Sequence, residues 1–238
     1  MFDSKQKVAV IFGSRSVEHE VSIVTAMQVF EDINREKYEV IPVYIDKSGR
    51  WLVDEKLEKL ESFRNLKLGD IKAREYFFAA STNVKALVPK SALKFLNKIS
   101  ADIYFPAVHG TFGEDGTLQG LLEMANVPYT GSGVTGSAVG MDKIIQKSVF
   151  KDAGLPVVKS VWLLKSEWED NKIDLIKNIE KNLNYPVFVK PANLGSSVAI
   201  SKAHGAKELE EAIDVASQFD RRVLVEEGKE NIIEINCS

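Results

Sequence analysis

Val8-Ala9-Val10-Ile11-Phe12 is an uninterrupted apolar run, and Gly13 follows it directly. Alternate side chains of a strand point to opposite faces, so an unbroken apolar run predicts a strand buried on both faces, as in parallel sheets. From residue 18 to residue 35 the apolar residues recur at helical spacing, and residues 38–45 form a second apolar run. This strand-helix-strand order predicts a parallel sheet covered by helices. The apolar positions of the predicted helix are Val21, Val24, Met27 and Phe30.

The next clear strand is Asp102 to Val108, which ends at His109 and a glycine-rich loop. Loops at the carboxyl ends of parallel strands commonly bind ligands. The pattern then predicts a helix at 117–125, a short strand at 127–130 and a helix at 141–152. Residues 51–88 mix charged runs with short apolar pieces, and there we predict short strands and helices around a possible insertion, without definite bounds.

A different pattern starts after Gly154-Leu155-Pro156. It predicts strands at 157–164, 185–190, 198–201 and 223–226, and helices at 168–183 and 206–219. Strands in one layer backed by two helices indicate an α+β unit. We therefore expect two domains, an α/β domain over residues 1–140 and an α+β domain over residues 141–228, followed by a further segment at 229–238.

Composition favours a small-molecule partner. The 34 acidic and 31 basic residues give a net charge of -3, which offers no broad basic surface for nucleic acid or an anionic membrane. No apolar run approaches the roughly 20 residues of a membrane span, and no secretory signal is evident. A single cysteine, Cys237, excludes an internal disulfide and fits a reducing compartment, so we predict a cytoplasmic protein.

The sequence can be searched for two common nucleotide-binding patterns, GxGxxG and GxxxxGK[ST]. Gly131-Ser132-Gly133-Val134-Thr135-Gly136 is a literal GxGxxG, but it follows the short late strand at 127–130 rather than the first strand. A turn from strand to helix is therefore the better interpretation than a dinucleotide site. The GxxxxGK[ST] pattern is absent, so any nucleotide must be held by another kind of phosphate-binding loop.

Lys190-Pro191-Ala192-Asn193-Leu194-Gly195-Ser196-Ser197 lies between two predicted strands. It offers a cation, a glycine for close backbone approach and two hydroxyl groups, which together can hold a phosphate. An ordinary Gly-Ser turn is the alternative for this octapeptide taken alone.

Two further segments give the octapeptide a context. Met141-Asp142-Lys143 adds a second lysine, and Val223-Leu224-Val225-Glu226-Glu227 adds carboxylates at a strand end. In this order the three segments resemble the central domain of ATP-grasp enzymes. The resemblance implies that Lys143 and Lys190 contact ATP phosphates together with Gly195, Ser196 and Ser197, that Glu226 contacts the adenine, and that Glu234 contacts the ribose. Near Glu234, Ile232-Ile233 replaces the usual Arg-Glu pair of that group.

The segments 13–22, GSRSVEHEVS, and 109–116, HGTFGEDG, narrow the resemblance to D-alanine:D-alanine ligases. The family pattern implies that Glu18 pairs with the ammonium of the first D-alanine, that His109 lies beside that substrate, and that Ser196 links to Glu18, with Ser197 also on the substrate side. Glu18 and Ser196 would thus be the catalytic residues of this part. A first-turn acid that favours the helix dipole is the alternative for Glu18, and a partly buried structural histidine is the alternative for His109. We expect Glu114 and Asp115 to shape their loop, and we assign no metal ligand.

The sequence departs from the family pattern at Ser14, where a second glycine is usual. If the backbone there needs a positive φ, serine costs more than glycine, and substrate affinity at this loop is in question.

The resemblance implies an α/β, Rossmann-like (pre-ATP-grasp) domain followed by the ATP-grasp central domain. The implied reaction joins two D-alanines through an acyl phosphate at the expense of ATP, for peptidoglycan and hence cell wall and cell shape. The family's Mg²⁺ ligands, second-substrate loop and oxyanion arginine would follow Ser238, so we expect residues 229–238 to begin a further lobe and the 238-residue chain alone to be inactive. A D-alanine:D-lactate ligase, another ATP-grasp ligase and a non-catalytic ligand-binding fragment stay open, and a homodimer is a further expectation.

Overall fold

A computed structural model of the chain describes residues 5–64, 73–91, 97–229 and 232–235. The chain divides into two compact units, Met1–Ala138 and Val139–Ser238. The domain limits predicted at residues 140 and 228 stay a prediction. Within the described ranges, no helix is long and apolar enough to span a bilayer.

The first unit is built on a mixed six-stranded sheet in the order β5-β4-β3-β2-β1-β6. Strands β1 and β2 are parallel, as are β1 and β6, whereas β2-β3, β3-β4 and β4-β5 are antiparallel. The bounds of the strands are β1 Gln6–Gly13, β2 Tyr38–Ile45, β3 Trp51–Val53, β4 Arg74–Phe78, β5 Leu87–Pro89 and β6 Ile103–Pro106. The helices of this part are α1 His19–Asp32, α2 Glu61–Arg64, α3 Thr117–Met124 and α4 Val134–Met141, and a 3₁₀ helix occupies Glu55–Glu58.

Strand β1 is buried on both faces, as its continuous apolar run predicts. Ala9 and Ile11 pack in the cluster that includes Leu118 and Leu122 of α3. Val10 and Phe12 pack on the other side with residues of α1 such as Phe30. The central strand therefore fixes both layers of helices, and its carboxyl end carries the first candidate loop.

The prediction of a parallel sheet is confirmed for β2, β1 and β6 and is incomplete beyond them. Three short antiparallel strands within residues 51–89 extend the edge of the sheet, in the segment where the sequence predicts strands and helices without definite bounds. The strand predicted at 127–130 is reduced to one bridge between Tyr104 and Tyr129. The helix predicted from residue 141 begins at Lys143 because Asp142 caps it.

The second unit is a four-stranded antiparallel sheet in the order β7-β10-β8-β9. One face packs against α6, α7 and α8 through a core that contains Trp168, Ile179, Ile213 and Val225. On the other face Ile144 of α5 packs against Ala192 and Leu224. The bounds are α5 Lys143–Asp152, β7 Ser160–Leu164, α6 Lys165–Asp170, α7 Lys172–Asn182, β8 Val187–Pro191, β9 Ser201–Ala203, α8 Ala206–Ala216 and β10 Arg222–Glu227.

Three predicted elements of this unit are wrong in detail. The strand predicted at 157–164 begins only at Ser160. The single helix predicted at 168–183 is two helices, because Asn171 leaves helical geometry and its side chain accepts the amide of Asp174 to start α7. The strand predicted at 198–201 is a turn, and β9 begins only at Ser201. The loop between β8 and β9 is therefore longer than the sequence suggested.

Candidate active site

In the first unit, Ser22 ties together the ends of two parallel strands. Its hydroxyl oxygen accepts the amide of Gly13 at 2.8 Å and donates to the carbonyl of Ala107 at 2.7 Å. Ser22 is fully buried, so both bonds are shielded from water. The two segments that the sequence singled out, residues 13–22 and 109–116, thus start from one fixed edge of the sheet.

The first loop turns sharply at Gly13 and Ser14. Gly13 has a φ of 91°, and a Cβ there would lie 2.2 Å from the carbonyl oxygen of Ile45. Ser14 has a φ of 89°, and its amide donates to the same carbonyl at 2.7 Å. His19 is buried beneath the turn, with Nδ1 2.5 Å from the carbonyl oxygen of Ser14. The turn is therefore fixed by backbone bonds that a positive φ at residue 14 makes possible.

Ser14→Gly is expected to raise the free energy of unfolding by about 1 kcal/mol, because glycine adopts a positive φ without the Cβ cost that serine bears. Urea denaturation measures the change. The control is Ser148→Gly inside α5, where glycine is expected to cost about 0.5–1 kcal/mol. A loss of stability in the Ser14 variant would show that the serine side chain contributes more than its backbone strain costs.

The second loop places His109 beside helix α1. His109 Nε2 is 2.8 Å from the hydroxyl of Thr25, and Nδ1 is 3.8 Å from Oε1 of Glu114. The ring is therefore held from both sides while part of it stays accessible. Glu114 also accepts the amide of Gly110 at 2.7 Å, so this carboxylate orders the loop as the sequence analysis expected.

Asp115 has a similar ordering role. One of its oxygens accepts the amide of Phe112 at 2.9 Å and the other accepts the amide of Thr117 at 3.0 Å. Over the ranges that the structure describes, no three His, Cys, Asp or Glu side chains lie together as a possible metal site. The carboxylates of Glu114 and Asp115 accept hydrogen bonds from backbone amides of this loop.

The two loops meet at Gly110. Gly110 has a φ of 72°, and a Cβ on it would lie 2.1 Å from Oε2 of Glu18 and 2.5 Å from the hydroxyl of Ser16. The guanidinium of Arg15 lies 4.3 Å from the centre of the Phe112 ring. Glu18 is buried, whereas Glu20, two residues later, is exposed and pairs with Lys47 at 2.5 Å. Of these two acids, only Glu18 is positioned at the junction of the loops.

In the second unit, lysines converge on one carboxylate. Lys190 of β8 lies 2.5 Å from Oε2 of Glu226, and Lys147 of α5 lies 2.8 Å from Oε1. Glu226 lies in the interior strand β10, opposite Phe188 of β8, and Lys190 lies opposite Leu224. The antiparallel pairing of β8 and β10 therefore makes the two predicted ATP-binding residues Lys190 and Glu226 diagonal neighbours on one face of the sheet.

The pKa values of this cluster follow from burial and charge. Burial alone would raise the pKa of Glu226, but hydrogen bonds from Lys147 and Lys190 outweigh it and hold the pKa below its ordinary value. Burial lowers the pKa of Lys143, and the nearby positive charge of Lys190 lowers it further. An incoming anion would relieve the repulsion between these lysines, so the cluster is suited to phosphate.

The loop between β8 and β9 has an irregular backbone. Ser196, Ser197 and Ala199 have φ values of 49°, 57° and 56°. Lys143 reaches this loop, donating to the carbonyl of Leu194 at 2.5 Å, and Asp220 accepts the amide of Asn193 at 2.7 Å. Successive amides in such a turn can form an anion-binding concavity. Lys143, Lys190 and this loop are thus brought together, as predicted for a phosphate site.

Asp142 fixes the start of α5 and hence the position of Lys143. One oxygen caps the helix by accepting the amides of Ile144 and Ile145, and the other binds the guanidinium of Arg222. Asp142→Ala is expected to lower the free energy of unfolding by about 2–4 kcal/mol, because it removes a cap and leaves a largely buried guanidinium without its carboxylate. Urea denaturation measures the loss.

The matched variant Asp142→Asn keeps the cap and removes the charge, so its expected loss is about half as large. An alanine variant as stable as the parent chain would contradict the role assigned to Asp142.

The contacts predicted for three other site residues stay predictions. Glu18 belongs to the first unit and Ser196 to the second, and the predicted link between them stays a prediction. Glu234 is exposed in the short described segment 232–235, outside any helix or strand, and its contact with ribose also stays a prediction.

Sequence reasoning missed Ser22, Thr25 and Lys147. For Lys147 a signal was present, because it follows Lys143 by four residues and so lies on the same face of α5.

Comparison with known proteins agrees with this geometry. A family model described as D-ala D-ala ligase N-terminus matches residues 7–132, and one described as D-ala D-ala ligase C-terminus matches residues 149–238. The chain belongs to the D-alanine–D-alanine ligase family. The ATP-grasp fold expected from the sequence is confirmed by the solved structures that resemble it.

Relatives in this ligase family are similar over nearly the whole chain. A D-alanine–D-alanine ligase of Bacillus cytotoxicus is 42% identical over 94% of this chain and 61% of its own length. One of Natranaerobius thermophilus is 43% identical over 95% of this chain and 61% of its own length. The chain therefore spans about 61% of the length of these relatives.

Solved ligases share the architecture. The VanG D-Ala:D-Ser ligase of Enterococcus faecalis has a TM-score of 0.81 and 36% identity, covering 94% of this chain and 63% of that one. The D-alanine-D-alanine ligase of Coxiella burnetii has a TM-score of 0.78 and 33% identity, covering 94% of this chain and 62% of that one.

Proposed function

We propose that this chain supplies the first-D-alanine loops and the ATP-phosphate site of an ATP-dependent ligase that forms D-alanyl-D-alanine. The observation that carries the proposal is the convergence of Lys143, Lys147 and Lys190 around Glu226 and the loop 193–200. The family match over residues 149–238, which includes Lys190, the loop and Glu226, supports it.

The junction of the two loops in the first unit is the proposed site of the first D-alanine. Glu18 would accept the ammonium group of the amino acid, and His109, held by Thr25, would lie beside it. A buried carboxylate binds an ammonium more strongly than an exposed one because less water competes for it. The close approach of Gly110 leaves Glu18 little room to move, which favours a fixed substrate position.

The second unit is the proposed site of ATP. Lys143, Lys190 and the amides of Gly195, Ser196 and Ser197 would hold the phosphates, where positive charge and amide donors stabilise a transferring phosphoryl group. Glu226 would accept a hydrogen bond from the amino group of the adenine, and Glu234 would accept hydrogen bonds from the ribose hydroxyls.

The chemistry would proceed in two transfers. A carboxylate oxygen of the first D-alanine attacks the γ-phosphorus, a new P–O bond forms, and the bond to ADP breaks. The amine of the second D-alanine then attacks the acyl carbon, the C–O bond to phosphate breaks, and the amine loses a proton as the peptide bond forms. Both steps develop negative charge on oxygen, so cationic and amide donors lower their barriers without a protein nucleophile.

The family is expected to use magnesium, which would neutralise negative charge on the ATP phosphates. The described residues offer no carboxylate cluster that fits Mg²⁺, so no step here runs through the metal. The relatives extend well beyond the length that this chain covers. We therefore keep the prediction that the 238-residue chain alone forms no dipeptide from D-alanine, ATP and Mg²⁺.

The second substrate distinguishes the alternatives. D-alanine is favoured as the second substrate because relatives of this chain are named D-alanine–D-alanine ligases. D-serine is a second candidate because VanG, a D-Ala:D-Ser ligase, is 36% identical to this chain. D-lactate stays open because a ligase that joins D-alanine to D-lactate would bind the ammonium of the first D-alanine in the same way. A role in peptidoglycan synthesis, a cytoplasmic location and a homodimer stay predictions of this proposal.

The D-alanine site is tested by a pair of matched variants. Glu18→Gln is expected to weaken D-alanine binding about 10- to 100-fold, since a buried charge-assisted bond to the ammonium is lost. Glu20→Gln removes the same charge from an exposed position two residues away and is expected to change binding less than about twofold. Calorimetric titration with D-alanine measures both affinities.

An equal effect of the two variants would contradict the site. An absence of heat with the unmodified chain would overturn D-alanine binding by this chain.

A further inference from the structure

Glu226 has two cationic partners, and only one of them belongs to the phosphate-binding octapeptide. Lys190 bonds one carboxylate oxygen at 2.5 Å, and Lys147 bonds the other at 2.8 Å. Lys147 lies one helical turn after Lys143 on α5, its side chain is 16% exposed, and it also contacts the carbonyl of Val158 at 3.3 Å. The two oxygens of Glu226 are thus held from two different elements, a strand and a helix.

An incoming nucleotide affects Lys190 and Lys147 differently. A polyphosphate attracts Lys190, which lies at the start of the phosphate loop, and every bond that Lys190 makes to phosphate competes with its bond to Glu226. Glu226 is buried, and a buried carboxylate without a cation is costly and tends to take up a proton. A second cation on the same carboxylate removes this conflict.

We propose that Lys147 is a positioning residue that keeps Glu226 charged and oriented toward the adenine amino group while Lys190 binds phosphate. The inference rests on the proposed function, because it takes Glu226 as the adenine-contacting residue. Lys147 itself touches neither base nor phosphate in this proposal. Lys147 acts through the carboxylate of Glu226, and it affects how strongly the site prefers adenine over other bases.

Four elements surround Glu226, and three of them carry charged residues near it. Helix α5 contributes Lys143 and Lys147, and β8 contributes Lys190. On β9, Lys202 lies 6.0 Å from the Phe188 ring, and on β7 the residue opposite Glu226 is Ser160, which does not titrate in this range. Among these neighbours, only Lys147 and Lys190 contribute hydrogen bonds to the lowered pKa of Glu226.

The test compares ATP, ITP and inorganic tripolyphosphate by calorimetry on the full 238-residue chain. ITP carries a carbonyl where ATP carries an amino group, so a charged Glu226 favours ATP, and tripolyphosphate reports on the phosphate site alone. Lys147→Met is expected to reduce the ATP-over-ITP preference about tenfold while changing tripolyphosphate affinity less than about threefold. Lys190→Met is expected to weaken all three ligands together.

Two additional variants guard against a merely structural effect. Lys147→Arg keeps the positive charge and is expected to restore the ATP preference to within about threefold of the parent chain. Lys147→Gln keeps a hydrogen-bond donor without the charge and is expected to resemble Lys147→Met, which provides a second measurement if the methionine variant folds poorly.

The pH dependence gives an independent readout. With Lys147 absent and Lys190 bound to phosphate, the pKa of the buried Glu226 rises, so its charge is lost as the pH falls through that raised value. The ATP preference of Lys147→Met is therefore expected to decrease from about pH 8 to about pH 6, whereas that of the parent chain stays constant.

The outcomes distinguish a failure of the role proposed for Lys147 from a failure of the proposed nucleotide site. If Lys147→Met weakens ATP and ITP equally at every pH, the positioning role is overturned and the nucleotide site stands. If the parent chain binds ATP and ITP equally, Glu226 is not the adenine-contacting residue, and the inference fails with that assignment. If the parent chain binds no nucleotide, the proposed function itself is overturned.

Discussion

Lys190→Met is expected to weaken ATP binding about 30- to 100-fold. The variant loses a charge-assisted bond to phosphate, which is worth roughly 2–3 kcal/mol in a partly buried site. Among the described residues, Lys147 remains hydrogen-bonded to Glu226 in this variant, so the expected loss lies in phosphate binding rather than in the contact with the adenine. Calorimetric titration with ATP measures the change.

Lys202→Met is a close control for this variant. The two ammonium groups lie on the same ring, at 5.9 Å and 6.0 Å from the centre of Phe188. Lys202 is exposed on β9 and is not one of the lysines that hydrogen-bond Glu226, so we expect less than about a twofold change in ATP affinity. Similar losses in both variants would indicate only a general effect of positive charge, and the phosphate role of Lys190 would be rejected.

Gly13→Ala is expected to lower the free energy of unfolding by about 3–5 kcal/mol, or to prevent folding. A Cβ at this position would lie 2.2 Å from the backbone oxygen of Ile45, which cannot move aside as a side chain can. The same oxygen accepts the amide of Ser14, so relief of the clash would break that bond. The positive φ of Gly13 adds a further cost for alanine. Urea denaturation followed by circular dichroism measures the loss.

Two glycines separate the contributions to this cost. Gly131 has a φ of 104° with open space where a Cβ would be, so Gly131→Ala isolates the conformational cost, about 1–2 kcal/mol. Gly120 lies inside α3 with open space around it, and alanine there is expected to add about 0.5–1 kcal/mol of stability. A Gly13 variant no worse than the Gly131 variant would show that the turn can relax.

The sequence predicted best where one local pattern decided the structure. The apolar run at β1 and the helical spacing of α1 gave the parallel core, because burial on both faces leaves a strand few alternatives. Residues 51–89 could not be assigned in the same way. Their strands are three to five residues long and are placed by successive pairing, β3 on β2, β4 on β3 and β5 on β4, which no local window contains.

The candidate site was predicted in part for a similar reason. Lys190 and Glu226 were found because the segments that contain them resemble, in their order, the central domain of ATP-grasp enzymes, and the structure joins the two residues in an ion pair between neighbouring strands. Lys147, Ser22 and Thr25 were missed, because their roles depend on partners 79, 85 and 84 residues away in the chain. The positive φ of Ser14 was raised only as a condition, since a serine by itself gives no sign of its backbone geometry.

The most direct test of the central claim is a chemical-shift mapping of the isotopically labelled chain with ATP and with D-alanine in separate titrations. We predict that ATP shifts the resonances of Lys143, Lys190, residues 195–197 and Glu226, and that D-alanine shifts those of Glu18, residues 109–116 and Thr25. Shifts from ATP that avoid the lysine cluster, or from D-alanine that avoid both loops of the first unit, would contradict the account.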